Sequence, residues 1–338
     1  MRSDVGRRGS AARPYRIAMG VVLTMVALAA CGSDTGEEDG ALPGASGDGD
    51  SGDKGNIDDF DPGTDADGDG NPDTGPSCDA VDILFVIDNS PSMKPYQEGL
   101  AAAFPGFVDA MLEVLPKPTS LHVGITTSSF WAGECGEGHV NCQTTATAAE
   151  VEAHYLPPME GTTGVNGEQG RLFEYAGERF IATDTGSDAG GLKDWFAGAA
   201  VAAGETGCSF EMTTAGAGYV AHPANASQNA GFLRDEKTVL LVFVLSDEPD
   251  KSPEGVAAYA DMLRDAKSGC GGDKCIVTSG LVTPCVIAGQ NQLSDFLNGF
   301  GEKSVLGSIE EPEKYTEVVG AGLAQVVQEA CEAIGSPK

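Results

Sequence analysis

Positive charge is scarce in this chain: 20 Lys and Arg stand against 51 Asp and Glu in 338 residues, a formal net charge of −31. Nucleic acid is thereby excluded as a partner, because a phosphate backbone is held by clustered cations. Histidine is scarce too, with His122, His139, His154 and His222 scattered along the chain. No histidine follows closely on Ser90, so a serine nucleophile there would lack a base, and no G-x-S-x-G elbow surrounds it. Neither G-x-x-x-x-G-K-[ST] nor G-x-G-x-x-G follows the first strand, which leaves nucleotide binding without a phosphate cradle. Long apolar runs are missing: the longest near the start, Ile17 to Ala30, has 14 residues, short for a bilayer span. Internal repeats are absent.

What is present begins with an export signal. Arg2, Arg7, Arg8, Arg13 and Arg16 form a basic head before the apolar run. The run ends in Leu28-Ala29-Ala30-Cys31, which resembles the lipobox of bacterial lipoproteins. That resemblance implies removal of residues 1–30 and a lipidated Cys31 as the new N-terminus, anchored by acyl chains that contribute about 0.8 kcal/mol per buried CH₂. Position 32 is Gly rather than Asp, which points to the outer membrane, facing periplasm or cell surface.

Residues 31–77 then read as an acidic flexible linker, too poor in large apolar side chains to offset its ordering entropy. Within it, "DADGDGNPD" places Asp65, Asp67, Asp69 and Asp73 at calcium-loop spacing, with Gly70 for the turn. It resembles thrombospondin type 3 and EF-hand-like loops, which implies weak Ca²⁺ binding. The bidentate Glu of such loops is missing, with Pro76 in its place.

Beyond Cys31 there are eight cysteines, an even number that argues for disulfides in an exported chain. The expected pairs are Cys135–Cys142 and Cys270–Cys275 as local loops and Cys78–Cys331 tying the domain ends. Cys208–Cys285 follows by elimination. His139 between Cys135 and Cys142 permits a zinc site on paper, but the disulfide suits an exported chain better.

Residues 78–335 alternate strand and helix. "DILFVIDNSPSM" is a buried-type strand that ends in Asp88, Ser90 and Ser92. Helical spacing follows in Tyr96, Leu100, Phe104, Phe107, Met111 and Leu115, with Pro105 as a kink site. Strands are expected at 121–126, 180–183, 239–245, 276–282 and 305–309. Helices are expected at 192–203, 210–221, 254–267 and from Pro312 to about Ala333. This alternation predicts an α/β fold: a doubly wound, Rossmann-like, mostly parallel sheet with helices on both faces. In such a sheet ligands bind beyond the carboxyl ends of the strands. Three oxygen donors at alternate positions on one turn there suit Mg²⁺ or Mn²⁺. An N-cap also favours Asp or Ser but needs only one such residue. A second apolar strand, "VLLVFVLSDEPD", ends in Ser246, Asp247 and Glu248.

With both motifs in order, residues 79–334 resemble the von Willebrand factor A family. Its metal-ion-dependent adhesion site pairs Asp-x-Ser-x-Ser after the first strand with a Thr from a later loop and an Asp after the fourth strand. The resemblance implies Asp88, Ser90, Ser92 and Asp247 as ligands of Mg²⁺ or Mn²⁺. In "GETGCSFE" it implies Thr206, with Thr213 or Thr214 as the alternatives. It also implies a protein partner that offers a carboxylate to the metal, an adhesive and non-enzymatic role. A structural envelope protein stabilised by the metal, and a hydrolase, are the competing readings. The stretch 128–178 is too long for a simple connection. It is expected to emerge beside the metal and to present Phe130 and Trp131 to the partner.

Overall fold

The computed structural model describes residues 78–130, 142, 146–158, 166–300 and 304–335. Cys31, the linker carboxylates Asp65, Asp67, Asp69 and Asp73, and Trp131, Cys135 and His139 of the insertion lie outside the described residues. Among the described residues no helix is long and apolar enough to cross a membrane.

The chain runs β1 (Ala80–Ile87), α1 (Lys94–Val114), β2 (Ser120–Thr127), α2 (Ala148–His154), β3 (Phe180–Asp184), α3 (Gly190–Ala202) and α4 (Thr213–Tyr219). It continues through β4 (Thr238–Ser246), α5 (Val256–Ala266), β5 (Ile276–Val282), α6 (Pro284–Ile287), α7 (Gln292–Leu297), β6 (Val305–Ser308), α8 (Tyr315–Val319) and α9 (Ala321–Gly335). The six strands form one sheet in the order β3-β2-β1-β4-β5-β6. Every pairing is parallel except β2 with the edge strand β3. The doubly wound α/β architecture is therefore the one that the alternation implies.

Successive side chains of a strand point to opposite faces, and β1 and β4 are buried along their whole length. Val81, Ile83, Phe85 and Ile87 face one apolar cluster with Leu100, Phe104 and Phe107 of α1, Phe196 of α3 and Val327 of α9. Leu84 and Val86 face the other, with Ala215 of α4, Tyr259 and Leu263 of α5 and Phe296 of α7. Phe85 anchors the first face, its ring centroid 4.4 Å from Phe196 and 5.7 Å from Phe104.

Three elements differ from expectation. The segment expected as helix 210–221 is helical only from Thr213 to Tyr219. The last helix breaks at Gly320, between α8 and α9, where a Cβ would stand 2.4 Å from the Thr316 carbonyl oxygen. Helix α1 passes through Pro105 as one element.

The cysteine pairing also differs. Cys78–Cys331 and Cys270–Cys275 form as expected. Cys142, however, is joined to Cys285, with their Cα atoms 6.0 Å apart, which rules out both Cys135–Cys142 and Cys208–Cys285. Cys285 opens α6 just beyond the carboxyl end of β5, and Cys142 of the insertion is brought against it. Cys208 instead lies buried in the α4 face of the core.

At the amino end of β1, Asp82 is fully buried and meets Arg234, whose main-chain N and Nε donate at 2.7 and 2.8 Å. The Lys267 ammonium stands 3.7 Å from the same carboxylate. Burial raises the Asp82 carboxyl above the usual range, opposed by the two cations. The network ties the segment before β4 to β1, at the opposite end of the strand from Asp88.

Candidate metal centre

The strand order reverses around β1. The chain leaves β1 toward β2 and β3 and returns to β4 on the other side. Such a switch point leaves a crevice at the carboxyl ends of the two strands. β1 and β4 run in register, Ile87 opposite Leu245, so Asp88 and Ser246 leave the sheet side by side.

Asp88 is fully buried. Its Oδ1 accepts from the Ser90 main-chain N at 2.9 Å, and its Oδ2 accepts from the Ser246 hydroxyl at 2.8 Å. The first bond is the local turn that Asp favours, and it folds Ser90 and Ser92 back toward each other, with their hydroxyls 3.2 Å apart. Exposure rises along the turn: Asp88 and Ser90 are buried, while Ser92 is exposed. Helix capping does not explain these residues, because the N-cap of α1 is Met93 and no side chain caps it. Gln97 of α1 locks the turn instead, donating to the carbonyls of Asp88 at 3.1 Å and Gly204 at 2.9 Å.

Asp247, one residue past β4, is partly buried and accepts a hydrogen bond from Ser92. Asp88, Ser90, Ser92 and Asp247 are thus brought together. The loop 204–207 is held against them by the Gly207 N, which donates to the Asn89 carbonyl at 2.8 Å. A Cβ on Gly207 would fall 2.1 Å from Asn89 Oδ1, so only glycine fits there. Thr206 beside it is exposed to solvent. Thr213 and Thr214 are buried in the first turn of α4, where Asp250 accepts from the Thr214 N at 2.9 Å.

Sequence reasoning passed over Glu211. It is fully buried, and its Oε2 accepts from the Ser128 hydroxyl. Ser128 is fixed beside the first motif, since its main-chain N donates to the Ile87 carbonyl at 3.2 Å and its carbonyl accepts from the Met212 N at 3.0 Å. The available signal was a carboxylate between Phe210 and Met212, both apolar and both buried.

Four carboxylates therefore share this end of the sheet. Burial, and then Asp247, raises Asp88 to about 6. Burial, and then Asp88 and Asp247, raises Glu248 to about 8. Burial holds Glu211 well above the usual range, with Asp88 as the first charge acting on it, and burial raises Asp247 as well. A buried ammonium nearby, Lys251, donates to the Pro249 carbonyl at 3.1 Å. Burial lowers its pKa. Among the described residues Asp247 Oδ1, Glu248 Oε2 and Glu211 Oε1 are buried without a hydrogen-bond partner. Buried carboxyl oxygens in excess of cationic partners fit a hard divalent cation, which would replace their protons. No three Asp, Glu, His or Cys among the described residues form a ready cage. A cation here would need the serine hydroxyls, with some carboxylates acting through water.

Of the insertion, Phe130 is buried and not presented to solvent. Its ring packs 5.5 Å from those of Tyr155 and Tyr219. The segment enters the domain as an apolar anchor, which Phe favours over exposure.

No family model matches the chain, and no curated protein matches it in sequence. Among solved structures it is similar to a von Willebrand factor type A protein from Catenulispora acidiphila at 15% identity and a TM-score of 0.36, over 74% of this chain and 43% of that one. It is also similar to proximal thread matrix protein 1 from the mussel byssus at 14% identity and a TM-score of 0.36, over 75% of this chain and 47% of that one. The chain thus spans under half the length of each of these two structures. Similarity this low leaves the fold to be defined by the chain's own strand order.

Proposed function

We propose that this chain is a lipid-anchored envelope protein whose α/β domain binds Mg²⁺ or Mn²⁺ at a von Willebrand A-type adhesion site and, through that cation, a protein partner. One observation supports the reading above the others. Asp88, Ser90, Ser92 and Asp247 converge at the switch point between β1 and β4 in a pattern that helix capping does not require. The two aspartates supply charge, and the serine hydroxyls supply neutral oxygen donors at the rim. An acidic side chain of the partner would enter from the Ser92 side, which is open to solvent. The role is binding rather than catalysis. Lipidation at Cys31, an outer-membrane location and weak Ca²⁺ binding by the linker belong to the same reading and rest on sequence resemblance alone.

Isothermal titration of the domain with Mg²⁺ and Mn²⁺ tests the cation site, with Asp88→Ala as the variant that should lose binding while staying folded. Capture of surface-extract proteins by the immobilised domain, with and without EDTA, tests the partner. Capture that EDTA leaves unchanged would remove the metal-bridged mechanism.

A further inference from the structure

Glu211 is the feature of this site that the family resemblance does not account for. Three facts of geometry set it apart from a buried carboxyl that merely packs. It is fully shielded from solvent, and its Oε2 is held by Ser128. Ser128 is itself bonded to the last residue of β1, immediately before Asp88. The main-chain carbonyl of Glu211 accepts from the Lys251 N at 2.6 Å, so Glu211 ties the loop before α4 to the loop after β4. Its Oε1, also buried, has no partner among the described residues. The first charge that acts on this carboxyl is that of Asp88, followed by Glu248, and the Lys251 ammonium interacts with it as well. Thr206, the first of the hydroxyls expected from this part of the chain, is exposed, while the alternatives Thr213 and Thr214 are buried in α4.

We propose that Glu211, through its unpartnered Oε1, is a direct ligand of the cation held by Asp88, Ser90 and Ser92, in the position that the family resemblance gives to Thr206. The proposal rests on the cation-binding reading above. The change has chemical consequences. A threonine would bring a neutral oxygen, whereas Glu211 brings a third carboxylate beside Asp88 and Asp247, so the protein supplies more negative charge than the divalent cation needs. Binding then does not wait for a partner's carboxylate. An incoming carboxylate has to compete with Glu211 or occupy a further position on the metal. Ser128 acts as a positioning residue, holding one carboxylate oxygen so that the other is aimed at the turn.

The experiment uses the full domain with its disulfides intact. Mn²⁺ affinity is measured by titration calorimetry, and Eu³⁺, a hard-cation probe, reports bound water from its luminescence lifetimes in H₂O and D₂O. Glu211→Gln removes the charge while keeping an acceptor for Ser128. Glu211→Asp keeps the charge but shortens the reach. Circular dichroism and thermal unfolding in EDTA confirm that each variant is folded. Both variants should weaken Mn²⁺ by on the order of tenfold or more, and Glu211→Asp should add at least one metal-bound water. Normal affinity and hydration in Glu211→Asp with weakened binding in Glu211→Gln would show that Glu211 acts only as a distant charge, which overturns the proposal. Unchanged binding in both variants, or loss with Thr206→Val instead, overturns it as well. If those outcomes appear while Asp88→Ala still abolishes binding, the cation site stands without Glu211. If the wild-type domain binds neither ion, the cation-binding reading falls and takes this proposal with it.

Discussion

Stability of the metal-free domain is expected to fall as pH rises from about 5 to 8, the reverse of the usual acid denaturation. Asp88 ionises at about 6 in the folded chain and at 3.8 in the unfolded one; Glu248 does so at about 8 and 4.5. Glu211 and Asp247 are raised in the same direction. In this window the folded protein holds protons that the unfolded chain has released, so unfolding gives off protons and is favoured by alkali. The stabilising contribution is complete below the unfolded pKa and is lost through the folded one. For Asp88, which is fully buried, about two pH units at ~1.4 kcal/mol each amount to on the order of 3 kcal/mol. Glu248, raised in part by the Asp88 charge, extends the same loss toward pH 8. The assay is urea unfolding in EDTA across pH 4.5 to 8.5, repeated with excess Mg²⁺. Cation should restore stability at pH 8 and do little at pH 5. Asp88→Asn should stabilise the EDTA-treated domain at pH 8 by roughly 2 kcal/mol, because it imitates the protonated group and keeps an acceptor for the Ser90 N. It should also abolish the response to Mg²⁺. Stability in EDTA that is flat or rises between pH 5 and 8 would refute the account of this site as an uncompensated carboxylate cluster.

Three further outcomes follow from the same structure. Arg234→Met removes the guanidinium from the fully buried Asp82 carboxylate, leaving it the main-chain N of residue 234 and the Lys267 ammonium, and should destabilise by about 3 kcal/mol in urea unfolding at pH 7. Gly207→Ala should weaken Mn²⁺ binding and destabilise by about 1–3 kcal/mol, since its Cβ would collide with Asn89 in the first motif, and an unaffected variant would mean that this loop is not held there. Non-reducing peptide mapping should recover Cys142 linked to Cys285, and Cys285→Ser should lower stability by up to about 4 kcal/mol, as expected for opening a long covalent loop.

The two strand termini were legible in the sequence because each is a contiguous signal. A run such as Ile83–Ile87 buries both faces, so the first carboxylate after it marks the strand's end. Asp88, Ser90 and Ser92 lie within one turn, where spacing alone specifies convergence. The helix boundaries at 192–203 and 254–267 came from local periodicity and agree with α3 and α5 to within a few residues. The shortened α4 depends on a neighbour in space, Asp250, whereas the break at Gly320 lies in its own backbone, which leaves the helical region at φ −84° and ψ −130°.

What the sequence by itself determined is the set of contiguous patterns: an α/β alternation, a sheet buried on both faces, and an Asp-x-Ser-x-Ser run after its first strand. Alternation and burial are written into adjacent residues, since a strand's period and a helix's period are local geometry. The tertiary structure alone decided which distant segments meet at the sheet's carboxyl end. Cys142 reaches Cys285 across 143 positions, Phe130 turns inward onto Tyr155 and Tyr219, and Glu211 rather than Thr206 is buried beside Asp88. Each of these contacts involves a loop residue and a distant part of the chain. Loop placement follows from how the helices pack on the sheet and which polar groups remain to be satisfied, and neither is encoded at any single position.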